Sequence, residues 1–296
     1  MFLLSHKTCF ILKAEESSVE TMKKPILAIL YDFDSTLAIS DMQNFSFIPS
    51  LGLTPAQFWQ KTTDFSAKTG MERTLAYLYV MIKACEEKGI KMTSDYLKEM
   101  GKNIKFFPGV LDWFKRINDY GSEHGVKVEH YLVSSGNREI VTGCPIYKEF
   151  KMVYGCEFYF DPVTKLPLWP KLVINFTQKT QYLYRISKGV YDATDDIGVN
   201  EKRPERRVPY NNIVYIGDGM TDIPAMIVAK NSGGKSIAVY PKGNRDKVKG
   251  LYEDGRVNYI ACADYREGTE IEKIMRLIIQ GVAINESLSS RENKSL

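Results

Sequence analysis

Short apolar runs, each too brief for a helix and each followed by a stretch of helical periodicity, constrain this fold more than any other feature of the chain. Residues 26–31, 126–133, 213–216, 236–240 and 257–261 are rich in Ile, Val and Tyr, and read as buried parallel strands. Lys127, Glu129 and His130 interrupt the second. Helix-period segments at 110–120, 180–188 and 222–229 separate them, so the expectation is an α/β chain with a doubly wound, Rossmann-like parallel sheet. Sheets of this kind place ligands beyond the carboxyl ends of their strands.

The interval from 38 to about 108 has no strand pattern but several helical ones, at 58–65, 73–88 and 94–100. A crossover between parallel strands needs only one helix, so the excess predicts an inserted α-helical cap over 41–104, with the core in 23–40 and 105–281. Trp59, Phe65, Tyr77 and Tyr79 of the insert read mainly as packing against the core, with pocket lining as the alternative. Residues 150–173 read as a β-ribbon turning near Asp161–Lys165, and the charged stretch 191–210 as a surface loop. Within that loop Arg203, Arg206 and Arg207 suggest an anion site, against the plainer reading of a solvated surface. Residues 1–22 read as a loose extension and 282–296 as a fraying tail.

Composition removes several classes of function. Of the 296 residues, 40 are Lys or Arg and 36 Asp or Glu, and no basic run alternates with aromatics, which argues against a nucleic-acid surface. The apolar opening is interrupted by Ser5, His6, Lys7 and Thr8, unlike a secretory signal, and no later segment has the apolar length of a membrane span. Five cysteines form no CxxC pair, which predicts a reducing, cytoplasmic setting without structural zinc. His6, His124 and His130 are scattered and define no site.

Four pieces of chemistry sit at strand ends or helix starts. The first strand runs into Asp32-Phe33-Asp34-Ser35-Thr36, two carboxylates whose mutual repulsion calls for a cation, most simply a hard divalent ion such as Mg2+. The second ends in Ser134-Ser135-Gly136-Asn137, a hydroxyl and amides suited to phosphate oxygens, or simply a helix N-cap. Lys179 opens a helix, where a cation opposes the helix dipole unless an anion is near. The strand at 213–216 runs into Gly217-Asp218-Gly219-Met220-Thr221-Asp222, placing Asp218 to meet Asp32 at a metal and Asp222 to anchor the lysine or a metal-bound water.

Together these segments closely resemble the four motifs of the haloacid dehalogenase superfamily, and the insert after the first resembles the cap of its phosphoserine phosphatase-like branch. The resemblance implies a phosphohydrolase acting on a small phosphorylated metabolite, as a monomer or homodimer. Asp32 would be the nucleophile that forms an aspartyl phosphate, and Asp34 the acid and base. Ser134 and Lys179 would bind the transferring phosphoryl group, with Thr36, Ser135 and Gly136 among the phosphate-binding positions. Mg2+ would be held by Asp32, the Asp34 carbonyl and Asp218, with Asp222 completing the acidic set. Asp41 falls where the branch reads a substrate amino group, and Arg73 or Lys83 would hold a substrate carboxylate. A dehalogenase has no use for Asp34 or the metal ligands; a phosphomutase or a silent binding protein are the alternatives.

Overall fold

The computed structural model describes residues 24–294, so the expected extension over 1–22 lies outside the described residues. Its centre is β1 (Ile26–Tyr31), six residues buried without exception. A strand apolar on both faces needs neighbours on both edges and helices above and below. β1 pairs in parallel with β2 (Lys127–Asn137) on one edge and with β5 (Ile213–Gly217) on the other. β3 (Met152–Phe160), β4 (Pro167–Leu172), β6 (Lys235–Tyr240) and β7 (Tyr259–Cys262) complete a seven-stranded sheet in the order β4-β3-β2-β1-β5-β6-β7. The chain leaves β1 toward β2 and later returns to its other edge as β5. Asp32, the residue after β1, therefore sits at the switch point where such sheets open a crevice.

The expected ribbon is present, but it is not a separate arm. β3 pairs in parallel with β2 and antiparallel with β4, so the hairpin extends one edge of the main sheet. β2 also runs beyond 133 as far as Asn137, with an irregularity after Val133, so Ser134–Asn137 are strand residues and not a loop. The stretch expected to be a plain surface loop contains a short helix, Asp196–Asn200, and sends Arg207 to the buried Glu129. The expected fraying beyond 282 is replaced by one helix from Glu270 to Lys294. Its apolar side reaches the core through Ile271, Met275, Ile279 and Val282, and that seam carries the polar last turns with it.

A buried polar relay fixes the end of β1. The Trp113 indole N–H donates to the Tyr31 hydroxyl at 2.9 Å, Tyr31 meets His130 Nδ1 at 3.0 Å, and His130 Nε2 meets Asn118 Oδ1 at 3.1 Å. Burial pushes the imidazole down to about 3, so it is neutral. With Nε2 carrying the proton, every member has a partner, which is what makes such a network tolerable in a core.

Between β1 and the helix Val110–Glu123 lie the helices Pro55–Thr69, Arg73–Glu87 and Ser94–Met100. Thr54 and Gln57 form a capping box at the first, and the Glu72 carboxylate accepts from the Thr74 and Leu75 N–H groups at the start of the second. These caps set where the two helices begin, and so where Trp59, Arg73 and Tyr77 lie over the crevice.

Candidate active site

Asp32 directly follows β1, its N–H bonded to the Ile216 carbonyl of β5 at 2.9 Å, which brings the first and fourth motif strands into register. Lys179, the first residue of the helix Lys179–Lys188, reaches across and is fully buried. Its ammonium donates to Asp32 Oδ1 at 2.8 Å and to Asp222 Oδ1 at 2.7 Å. Asp222 is a back wall, absent from the cavity surface. Tyr215 donates to its Oδ1 at 2.7 Å, and the Asp218 and Gly219 N–H groups donate to its Oδ2 at 3.2 and 3.4 Å. Gly217 makes room for it, since a Cβ there would stand 2.5 Å from the Asp222 carboxyl. Of the two roles open to Asp222, the geometry bears on the lysine anchor, because both of its oxygens already have protein donors.

Carboxylate oxygens of Asp32, Asp218 and Asp222 all lie within 4.8 Å of one another. Asp34 stands beside them, its Oδ1 accepting the Met42 N–H at 2.8 Å. Ser35, directly after the two acids, has a left-handed backbone, φ 55°, a strained conformation at the turn that follows the sheet end. Lys247, from the helix Asp246–Glu253, donates to Asp218 Oδ2. Two lysines thus face four carboxyls, and the electrostatics record the shortage. Burial, then the charge of Asp222, pushes Asp32 up to about 8 despite Lys179. Burial, then Asp41 and Asp32, holds Asp34 well above the usual carboxylate range. Asp218 is raised by burial and Asp222. Lys179 itself is held protonated, because Asp222 and Asp32 outweigh the burial that opposes its charge. Hard oxygen donors, close together and short of positive charge, fit a divalent cation such as Mg2+.

The cavity in front of these groups holds about 390 Å3. Its floor includes Asp32, Asp34, Ser134, Lys179 and Asp218, and its opposite wall comes from the helices Pro55–Thr69 and Arg73–Glu87. Ser134 Oγ accepts the Gly136 N–H at 2.9 Å, and the Ser135 hydroxyl has no partner among the described residues. Gly136 is required by crowding, because a Cβ there would lie 2.1 Å from Met42 Cε and 3.0 Å from Asp34 Oδ2. The N-cap of the next helix is Asn137, which accepts from Ile140 N–H at 3.2 Å, so the two serines are free of that duty.

Most of the expected residues meet at this cavity, including Asp41, whose carboxyl is raised mainly by burial. Thr36 does not, for it is fully buried away from the cavity surface, its hydroxyl without a partner among the described residues. Of the two basic candidates, Arg73 lines the cavity and has no carboxylate partner among the described residues. Lys83 instead pairs with Glu86 at 2.7 Å on the surface. Among the aromatics, Trp59 and Tyr77 line the cavity, whereas Phe65 and Tyr79 stack on each other at 4.6 Å. Lys247 and Tyr215 escaped the sequence reading. Tyr215 was visible only as the polar tip in an apolar strand, and Lys247 carried no local signal at all.

No family model matches the chain. An uncharacterized protein of Borreliella burgdorferi is 28% identical over 279 residues, 84% of this chain and 95% of that one. Among solved structures, a probable phosphoserine phosphatase from Vibrio cholerae is similar with a TM-score of 0.57 and 14% identity, over 89% of this chain and 67% of that one. A phospho-aspartyl intermediate analogue of phosphoserine phosphatase matches with a TM-score of 0.53 and 16% identity, over 86% and 99%. A haloacid dehalogenase (HAD) family hydrolase from Salmonella enterica serovar Typhi gives 0.53 and 14%, over 80% and 67%. The fold is that of the HAD-like hydrolases.

Proposed function

We propose that this chain is a Mg2+-dependent phosphohydrolase that cleaves a small phosphomonoester through an aspartyl phosphate on Asp32. The observation that carries the proposal is the buried Lys179 bridging Asp32 and Asp222, with Asp218 alongside. Asp32, the Asp34 carbonyl and Asp218 would hold the ion. When bound, Mg2+ supplies the positive charge that lets a carboxylate approach a phosphate dianion.

An oxygen of Asp32 attacks phosphorus while the bond to the ester oxygen breaks. Asp34, kept protonated by burial and by its acidic neighbours, gives its proton to the leaving alcohol. The Asp34 carboxylate then takes a proton from water as that water attacks the same phosphorus, which frees Asp32 and releases inorganic phosphate. Lys179 and the Ser134 hydroxyl donate to the phosphoryl oxygens, whose charge spreads in the transition state. The helices opposite would act as the cap, opening to admit substrate and closing to exclude water. Arg73, a cation on that wall without a carboxylate of its own, supports a substrate that carries a second anionic group.

A panel of phosphate esters assayed for free phosphate, with Mg2+ and with chelator, tests the proposal. Metal-dependent release is the expected result. Isomerised product without free phosphate would turn the reading into a phosphomutase, and no turnover of any ester would remove it.

A further inference from the structure

A second cavity, of about 530 Å3, lies at the opposite end of the sheet, where β1 and β5 begin. Lys24, Lys188, Arg203, Arg206 and Arg207 contribute five cations to its wall, against the two carboxyls of Glu205 and Glu286. Two of the cations are already committed. Arg207 holds Glu129 through bonds of 2.6 and 2.8 Å, and Arg203 pairs with Glu201 at 3.0 Å. Lys24, Lys188 and Arg206 remain without a carboxylate, and neither Glu205 nor Glu286 forms an ion pair among the described residues.

Three features make this more than a charged patch. Arg206 is held with its guanidinium carbon 5.1 Å from the Tyr184 ring and 4.7 Å from the Tyr210 ring. One of its amino groups donates to Ser187 Oγ at 3.2 Å, and no carboxylate pairs with it among the described residues. A guanidinium fixed this way offers a planar fork whose ordering has already been paid for. Lys188 is 7% exposed, its ammonium donates to the Val199 and Glu201 carbonyls and stands 4.9 Å from the Tyr184 ring, and no carboxylate pairs with it among the described residues. Asn212 is 8% exposed and lines the cavity, yet its side-chain amide has no partner among the described residues. An amide on the cavity wall that the protein does not hold is free to turn toward a ligand.

We propose that this cavity binds the phosphate group of a small phosphorylated molecule, with Arg206 and Asn212 as its principal donors and Lys24 and Lys188 supplying charge. A carboxylate would satisfy the Arg206 fork alone, whereas a tetrahedral oxyanion presents further oxygens to Asn212 and the lysines. The volume beyond a bare phosphate is room for the organic part. The same three elements that carry Asp32, Asp218 and Lys179 reach this cavity at their other ends, through Ile26, Asn212 and Lys188. The site does not depend on the chemistry proposed at Asp32.

Inorganic phosphate titrated into the full chain at constant ionic strength, followed by amide NMR, tests the assignment. Amides of Arg206–Asn212 report this cavity, and those of Asp32–Leu37 and Ser134–Asn137 report the other, so the two sites are read separately. Saturable shifts at 206–212 are expected, weakened about tenfold or more by Arg206→Gln and absent with acetate. No saturable shift in the wild-type chain, an affinity unchanged by Arg206→Gln, or equal binding of acetate would each overturn the proposal.

Discussion

Glu129, in β2, and Asp32, directly after the neighbouring β1, are both buried carboxyls, and they are treated in opposite ways. Glu129 is surrounded by Arg207, Lys151 and Lys127 and accepts the Tyr131 hydroxyl at 2.6 Å. Burial by itself would raise it, but the bonds from Arg207, Tyr131 and the lysines win, and the group sits far below the usual glutamate range. Asp32 shares one lysine with Asp222 and faces Asp34 and Asp218 besides, and is pushed up to about 8. One network closes its own charge balance within the chain. The other is left open toward a cavity, and an open balance is what a site that binds a metal ion and a phosphate needs.

The sharpest way to break this contrast is at its open end. Asp32→Asn keeps the shape and removes the proposed nucleophile, so phosphate release should fall by about a thousandfold or more while the circular dichroism spectrum stays unchanged. Retained turnover would remove the covalent mechanism.

At the closed end, Glu129→Gln strands three cations and should lower unfolding free energy by about 2–3 kcal/mol in denaturant titration, with Lys127 adding little because its side chain is mostly exposed. The pH dependence has a definite sign. Because the folded value is depressed, the stability from Glu129 is complete above the unfolded glutamate value near about 4.3 and is lost as pH falls through the folded one. The variant should therefore lose part of the acid sensitivity of the parent.

Asp218→Asn sharpens the comparison in the other direction. A carboxyl raised by burial and Asp222 destabilises the folded chain at neutral pH, so the variant should melt a few degrees higher in chelator, yet lose about tenfold or more in Mg2+ affinity. The smallest effect is expected from Lys247→Met. Its ammonium sits on Asp218 in place of a second cation, and its removal should tighten Mg2+ binding by about two- to fivefold in a calorimetric titration.

What the sequence made legible was the part of the site borne by local chemistry. Asp32, Asp34 and Asp218 stand just past strands, Ser134 in the last residues of β2 and Lys179 at a helix start, places that strand and helix periodicity locate approximately. The burial of all six residues of β1 follows from the same pattern. What remained hidden depends on contacts between distant segments. The closing of Arg207 on Glu129 turned an apparent surface loop into a strut, since 78 residues separate the pair. β3 joined the main sheet because its edge met β2, a pairing that alternation within the ribbon does not encode. The resemblance implies a phosphate-binding place for Thr36, but it lies in the tight turn in which Phe33 O accepts the Leu37 N–H at 2.9 Å and is fully buried.

Calorimetric titration of Mg2+ into the wild-type chain and Asp218→Asn, each with and without a phosphate analogue, tests most directly whether the acids of β1 and of the loop after β5 share an ion. One Mg2+ per wild-type chain, bound more tightly with the analogue and weakened in the variant, is the predicted result. Mg2+ binding that is absent from the wild-type chain, or indifferent to Asp218, would contradict it.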